Sequence, residues 1–204
     1  SLGGSIYWSE FDADEANLEA YKNSSYGIAL NSGFPINEYN RINGGIGYRH
    51  NEISEISAYE QAIRFYDIYR DSDDPNAGLS FDNFELSLGW SRSNLNRGTF
   101  PSDGSSQRLN GKMTVPGSDL QYFKADFDTN FYFPIDRKHS FVVLARGRLG
   151  YGNGYGQFND NDQILPFWEN YYSGGSSSLR GFKSNSVGPR SFYLYRGSEP
   201  CSPD

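Results

Sequence analysis

One cysteine, one methionine and two histidines are all that 204 residues contain of those types. A lone Cys201 cannot close a disulfide within the chain, so any partner is expected in sequence beyond it. Long hydrophobic runs are missing as well. No stretch approaches the roughly 20 apolar residues that a spanning helix needs, and the mean hydropathy is -0.69, which excludes a helical membrane protein. Basic charge is scarce: 18 Lys and Arg stand against 25 Asp and Glu, for a net charge of -7. Phosphate binding needs a concentrated basic surface, so no nucleic-acid partner is expected. Catalytic and metal signatures are lacking too. The chain has no G-x-S-x-G, no HExxH and no paired-cysteine spacing. The acidic stretch DSDDPNAG at 71–78 lacks the glycine and glutamate spacing of a calcium loop, and reads as a solvated turn. The expectation is therefore no enzyme, no cofactor and no metal. A signal peptide is also absent; the chain opens on the strand-like SLGGSIYWSEF and stops at SEPCSPD, which reads as a loop, so both ends suggest a segment of something longer.

What is abundant is aromatic residues and glycine: 16 Tyr, 15 Phe and 23 Gly. They fall into a pattern of period two, which is the strand signal. Leu2, Ile6 and Trp8 alternate with Gly3, Ser5 and Ser9. Tyr26, Ile28, Leu30 and Phe34 alternate with Gly27, Ala29, Asn31 and Gly33. The third run sets Ile42, Ile46 and Tyr48 against Arg41, Asn43, Gly47 and Arg49. In the fourth, Phe84, Leu86, Leu88 and Trp90 oppose Glu85, Ser87, Gly89 and Ser91. Leu109, Met113 and Val115 oppose Arg108, Asn110, Lys112 and Thr114 in the fifth. The sixth sets Phe123, Ala125, Phe127, Phe131 and Phe133 against Lys124, Asp126, Asp128 and Asn130. The seventh sets Phe141, Val143, Ala145 and Leu149 against Arg146 and Arg148.

Successive side chains on a strand point to opposite faces, so every run has one apolar and one polar face. A soluble sandwich alternates in the same way, but two details favour a transmembrane barrel. The polar faces mix small residues with charges of both signs, as a wet lumen would. Aromatics also gather near the ends of the apolar faces, at Trp8, Tyr26, Phe34, Tyr48, Trp90, Phe123 and Phe133, where membrane interfaces would lie. The connections agree: INEYN at 36–40 reads as a periplasmic turn, and the long segments then fall mostly outside. Segment 53–70 shows a helical spacing at Ile56, Tyr59, Ile63 and Tyr66, read as a short amphipathic helix on the barrel mouth. Bacterial barrels have an even number of strands, eight or more, and an open edge in lipid leaves backbone groups unpaired. Seven strands should therefore be an arc of a larger barrel. The expected class is all-β: a partial antiparallel transmembrane barrel at 1–152, followed by a long extracellular loop at 153–204.

The loop carries Tyr171, Tyr172, Ser173, Gly174 and Gly175, then three serines, then Leu179-Arg180-Gly181-Phe182 and a stretch ending in Gly188-Pro189. This resembles the long sixth loop, with its (V/L)RG(F/Y) motif, of the BamA family of outer-membrane assembly factors. SLGGSIYWSEFDAD, GFPINEYN, FPSDGSS and VPGSDLQYFK leading to PID are similar to that family in the same order. The resemblance runs along nearly the whole chain. It implies about seven of sixteen strands, roughly the fifth to the eleventh, in a barrel that folds and inserts other barrels into the bacterial outer membrane. Implied partners are outer-membrane lipid, unfolded barrel-protein clients, and BAM lipoproteins docked on POTRA domains that this chain lacks. The alternatives are a two-partner secretion or TamA-like translocation barrel of the same BamA/TamA superfamily, or an unrelated porin-type channel.

The resemblance also implies residue roles. Leu179, Arg180, Gly181 and Phe182 form the latch motif of a loop that folds back into the lumen. Arg180 suits that role because its planar fork donates two parallel hydrogen bonds to a carboxylate. Gly174, Gly175, Gly188 and Pro189 read as turns of the loop. The inward charges Arg41, Arg49, Arg108, Lys112, Lys124, Asp126, Asp128, Arg146 and Arg148 are read mostly as a solvated wall. Arg146 and Arg148, with Asp126 and Asp128, are preferred as contacts for the loop.

Overall fold

The computed structural model describes residues 1–12, 22–54, 64–65, 68–69, 78–136, 140–158, 161–176 and 178–188. Seven strands run in sequence order as one antiparallel meander: β1 (Leu2–Asp12), β2 (Lys22–Pro35), β3 (Asn40–Ser54), β4 (Leu79–Ser93), β5 (Gly104–Thr114), β6 (Tyr122–Pro134) and β7 (Val142–Gly154). Each pairs only with its chain neighbours, so β1 and β7 are the two edges of an open sheet. Most strands are longer than their alternating runs. At β3 and β4 the extra length reaches Ser54 and back to Leu79. Val115, expected in the fifth strand, lies just past its end and donates its N–H to Phe84 O at 2.7 Å.

Register aligns the apolar positions of neighbouring strands into continuous rows. Ile6 faces Ile28, Ile28 faces Tyr48, and Tyr48 faces Phe84. A slip of one residue would turn each set to the other face, so the pattern itself fixes the pairing. These residues stay bare: Ile6 is 87% exposed, Leu30 56% and Leu88 66%. A dry sandwich core would bury them. Along β6, Phe123 to Phe133 spans ten steps; at ~3.3 Å per residue and a tilt near 40° that is a band roughly 25 Å tall, the height of a barrel's lipid-facing belt.

Turns close one end economically. Asn37 Oδ1 accepts from the backbone N–H groups of Tyr39 and Asn40 at 3.0 and 2.9 Å, so one side chain folds the β2–β3 connection. Asn94 does the same for the β4–β5 connection, accepting from Ser105 N at 2.7 Å. At β6–β7 the carboxylate of Asp136 accepts from Phe141 N at 3.0 Å, which holds its pKa below the usual range. At the other end the short β5–β6 turn uses Gly117 at φ +101, and Asp119 accepts from Asp82 N at 2.6 Å.

The buried apolar cluster sits on the inner face at that second end. Ile53, Leu79 and Phe81 of the strand ends meet Leu120, Tyr122 and Phe167. Phe65 and Tyr69, one helical turn apart, join them. Phe65 packs edge-on against Phe81, Phe167 and Trp168 at ring separations of 5.7, 5.6 and 5.0 Å. Ile56, Tyr59, Ile63 and Tyr66, which suggested the helix, lie outside the described residues. So do Cys201, Pro189, His139 and residues 71–77 of the acidic stretch.

Candidate functional site

The polar face is strongly cationic. Arg41, Arg49, Arg108, Lys112, Lys124, Arg146 and Arg148 project from it, countered on the strands by Glu85, Asp126 and Asp128. Lys112 and Lys124 stand directly opposite each other across β5 and β6. Like charges in that position destabilise a sheet unless an anion is placed between them. The anion comes from the last loop.

After β7 the chain makes a small hairpin of β8 (Gln157–Phe158) and β9 (Asn161–Asp162), then a short 3-10 turn, Phe167–Glu169. Phe167 and Trp168 enter the aromatic cluster, and this carries Glu169 down onto the wall. Its carboxylate lies 2.8 Å from Lys112 Nζ, 3.1 Å from Lys124 Nζ and 3.6 Å from Arg49. Lys124 Nζ also donates to the backbone carbonyl of Glu169 at 2.6 Å. Glu85 completes the network, 3.4 Å from Arg49 and 3.6 Å from Lys112. The Tyr122 hydroxyl donates toward both carboxylates, and Arg49 Nε donates to Tyr7 at 3.0 Å. The Glu169 side chain is only 12% exposed. Burial pushes its pKa up, but the two lysines outweigh burial and hold it below the usual carboxylate value.

Two residues further on, Tyr171 lies along the wall. Its ring stacks over Lys124 at 4.5 Å. Its hydroxyl donates to the backbone carbonyls of Tyr151 and Ala125 at 3.4 and 3.5 Å, and burial together with the negative charge of Asp126 pushes its pKa up. It fits there because Gly150 has no side chain: a Cβ at Gly150 would come within 2.6 Å of the ring. On the same face of β7, Gly154 leaves room for the backbone of Gln163, and a Cβ at Gly152 would crowd the Lys124 stem at 3.0 Å.

Beyond this seat the loop forms an arm closed by a bridge between Ser173 and Val187. Gly174 and Gly175 turn it at φ +116 and +92, and Gly181 and Gly188 also have positive φ, at +92 and +134. A Cβ on Gly174 would meet Lys183 O at 2.3 Å, so the turn admits only glycine. Leu179 and Phe182 are 44% and 55% exposed, and Arg180 is exposed beside them. Among the described residues Arg180 has no ion pair.

The preferred loop contacts divide. Asp126 acts on the loop electrostatically, raising the pKa of Tyr171. Arg148 pairs across strands with Asp128 at 3.2 Å, and Arg146 Nε donates to Asn130 at 3.0 Å on the same neighbouring strand. Both sit in the half of the wall nearer the short turns, below the reach of the docked segment. The solvated-wall reading fails for Arg49, Lys112 and Lys124, which form the ionic seat. Glu169 and Tyr171 were missed. The available signal was an acidic residue in an aromatic run, PFWENYY, opposite a wall with too few anions. His50 lies on the outer face, its Nδ1 2.7 Å from Asp82, whose carboxylate also accepts from Tyr48 at 2.6 Å.

An arc of strands that is bare and apolar outside, charged inside and occupied by its own loop defines a class of protein, the bacterial outer-membrane barrel with a lumen-docked loop. The Omp85 superfamily domain matches residues 1–199, and the chain belongs to that superfamily. Within it, the chain is similar to the outer membrane protein assembly factor BamA of Neisseria meningitidis serogroup B (strain ATCC BAA-335 / MC58), at 28% identity over 201 residues. It is also similar to the crystal structure of BamA from Haemophilus ducreyi lacking POTRA domains 1–3, with a TM-score of 0.84 and 34% identity. The two matches cover 96% and 93% of this chain, but 24% of the Neisseria protein and 36% of the Haemophilus chain. The chain thus spans about a quarter to a third of these relatives. Its place is the bacterial outer membrane.

Proposed function

We propose that this chain is the middle of the barrel of an insertase that folds other β-barrel proteins into the outer membrane, as a structural and not a catalytic component. The observation that carries this reading is the likeness to BamA relatives along almost the whole chain, in sequence and in fold. The clients are unfolded barrel proteins, and the lipoproteins of the assembly complex dock on POTRA domains outside this chain. In this reading Arg180 is the latch of the loop, its guanidinium reaching an anionic partner outside the seven strands.

The test is complementation. The full-length protein, intact or as Arg180→Ala, is expressed in cells depleted of their own assembly factor, and the folded fraction of newly made porins is read by heat-modifiable gel mobility. The intact protein is expected to restore folded porins, and Arg180→Ala to restore markedly fewer. Failure of the intact, folded protein to restore them would refute the insertase reading. Full activity of Arg180→Ala would remove the latch.

A further inference from the structure

Three observations converge on the segment between the aromatic cluster and the Ser173–Val187 bridge. Lys112 and Lys124 face each other directly on the inner wall, an arrangement with no reason to persist unless an anion sits between them. Glu169 supplies that anion at 2.8 and 3.1 Å. Beside it, β7 presents glycine at 150, 152 and 154 on one face, and Tyr171, the Lys124 stem and the Gln163 backbone lie against them. We infer that Glu169 is the positioning residue that seats the long loop on the lumen wall, as the required countercharge of the Lys112–Lys124 pair. Tyr171 in the Gly150 notch sets its depth.

This seat is separate from the Leu179–Phe182 motif, which is exposed on the far side of the Ser173–Val187 bridge. With Arg180 as the latch, the loop has two attachments of different chemistry: a carboxylate held by lysines on this wall, and an exposed guanidinium with no ion pair among the described residues. The first fixes where the arm begins, and so where the second can reach. Removing the carboxylate alone leaves two cations facing each other in a poorly hydrated corner, which is costlier than never having had them. Neutralising the lysines together with Glu169 removes that conflict. The seat should then recover through the aromatic cluster and the Tyr171 notch.

The experiment uses the full-length protein in the outer membrane of intact cells, probed by protease added outside, with cleavage of the last loop read over time. Heat-modifiable mobility of the same samples reports whether the barrel itself is folded. Wild type is expected to be cleaved slowly, and Glu169→Gln about tenfold faster with the barrel still folded, since a lost partner in a partly wet lumen still shifts docking by about that factor. The triple variant Glu169→Gln, Lys112→Met, Lys124→Met is expected to return most of the protection. Wild-type protection in Glu169→Gln would overturn the inference, and so would a triple variant cleaved as fast as the single one. If the barrel of Glu169→Gln does not fold, the test passes to Lys112→Met with Lys124→Met. There Glu169 is left without its lysines, so faster loop cleavage in a folded barrel supports the inference, and wild-type protection overturns it. The readout is loop protection, so it stands or falls independently of client insertion.

Discussion

Replacing Ile46 with lysine is the most direct check on which way the sheet faces. Ile46 is 57% exposed on the apolar face, in a row with Leu30 and Leu86. It lies four residues from Ile42 and four from His50, so at ~3.3 Å per residue and a 40° tilt it is roughly 10 Å from either margin of the band. That is close to the bilayer midplane, where a lysine on the lipid side of a barrel costs about 2–4 kcal/mol. Asn43, three residues away, projects from the opposite face into the watery lumen, beside Gly89. A lysine there keeps its hydration, and the cost should stay within about 0.5 kcal/mol, as at ordinary wetted sites. Both variants would be made in the full-length protein and their denaturant unfolding compared in lipid bilayers, with the wild type alongside. A gap of about 2 kcal/mol or more between the two sites is expected. Equal costs, or a larger cost at Asn43, would refute the assignment of faces and with it the barrel.

Further outcomes follow from the docked loop and the aromatic cluster. Glu169 has a folded-state pKa below its ordinary value of 4.5, and it is faced by Arg49, Lys112, Lys124, Glu85, Tyr122 and Tyr171. A depressed carboxylate contributes stability above its unfolded pKa and loses it as the pH falls through the folded value. Loop protection should thus be full at pH 6–7 and decline below about pH 4.5, measured by hydrogen exchange of residues 167–172. Gly150→Ala pushes a methyl group into the Tyr171 ring and should destabilise the seat by about 1–3 kcal/mol, seen as faster loop cleavage with the strands intact. Phe167→Ala empties a site only 3% exposed, with aromatic neighbours on two sides, and should cost about 3–5 kcal/mol in thermal unfolding. Arg148→Ala breaks an ion pair whose partners are 57% and 38% exposed, and should cost under about 1 kcal/mol in the same assay.

The strands were legible because alternation is a local property that survives without knowledge of neighbours. Tyr26 to Phe34 reads as a strand from its own residues, and its pairing with Ile42 to His50 follows from matching greasy faces across a four-residue turn. The loop motif at Leu179–Phe182 was legible by resemblance. Gly174, Gly175 and Gly188 were read as turn residues, and all three have positive φ in the structure. Glu169 was not legible, because it lies 45 residues from Lys124 and 57 from Lys112. Nor was the use of Gly150 and Gly154, which in sequence look like any other flexible residues and in space make room for Tyr171 and the backbone of Gln163.

Period-two hydrophobicity by itself determined that this chain makes strands with one greasy and one wet face, and where the seven strands of the sheet run. The reason is that a side chain's direction on a strand depends only on the parity of its position. Which charges meet, and which side of the lumen the loop lies on, were decided by tertiary structure alone. Those depend on the register of β5 against β6 and on the point where the 3-10 turn delivers a carboxylate, and neither distance is written in any local stretch of residues.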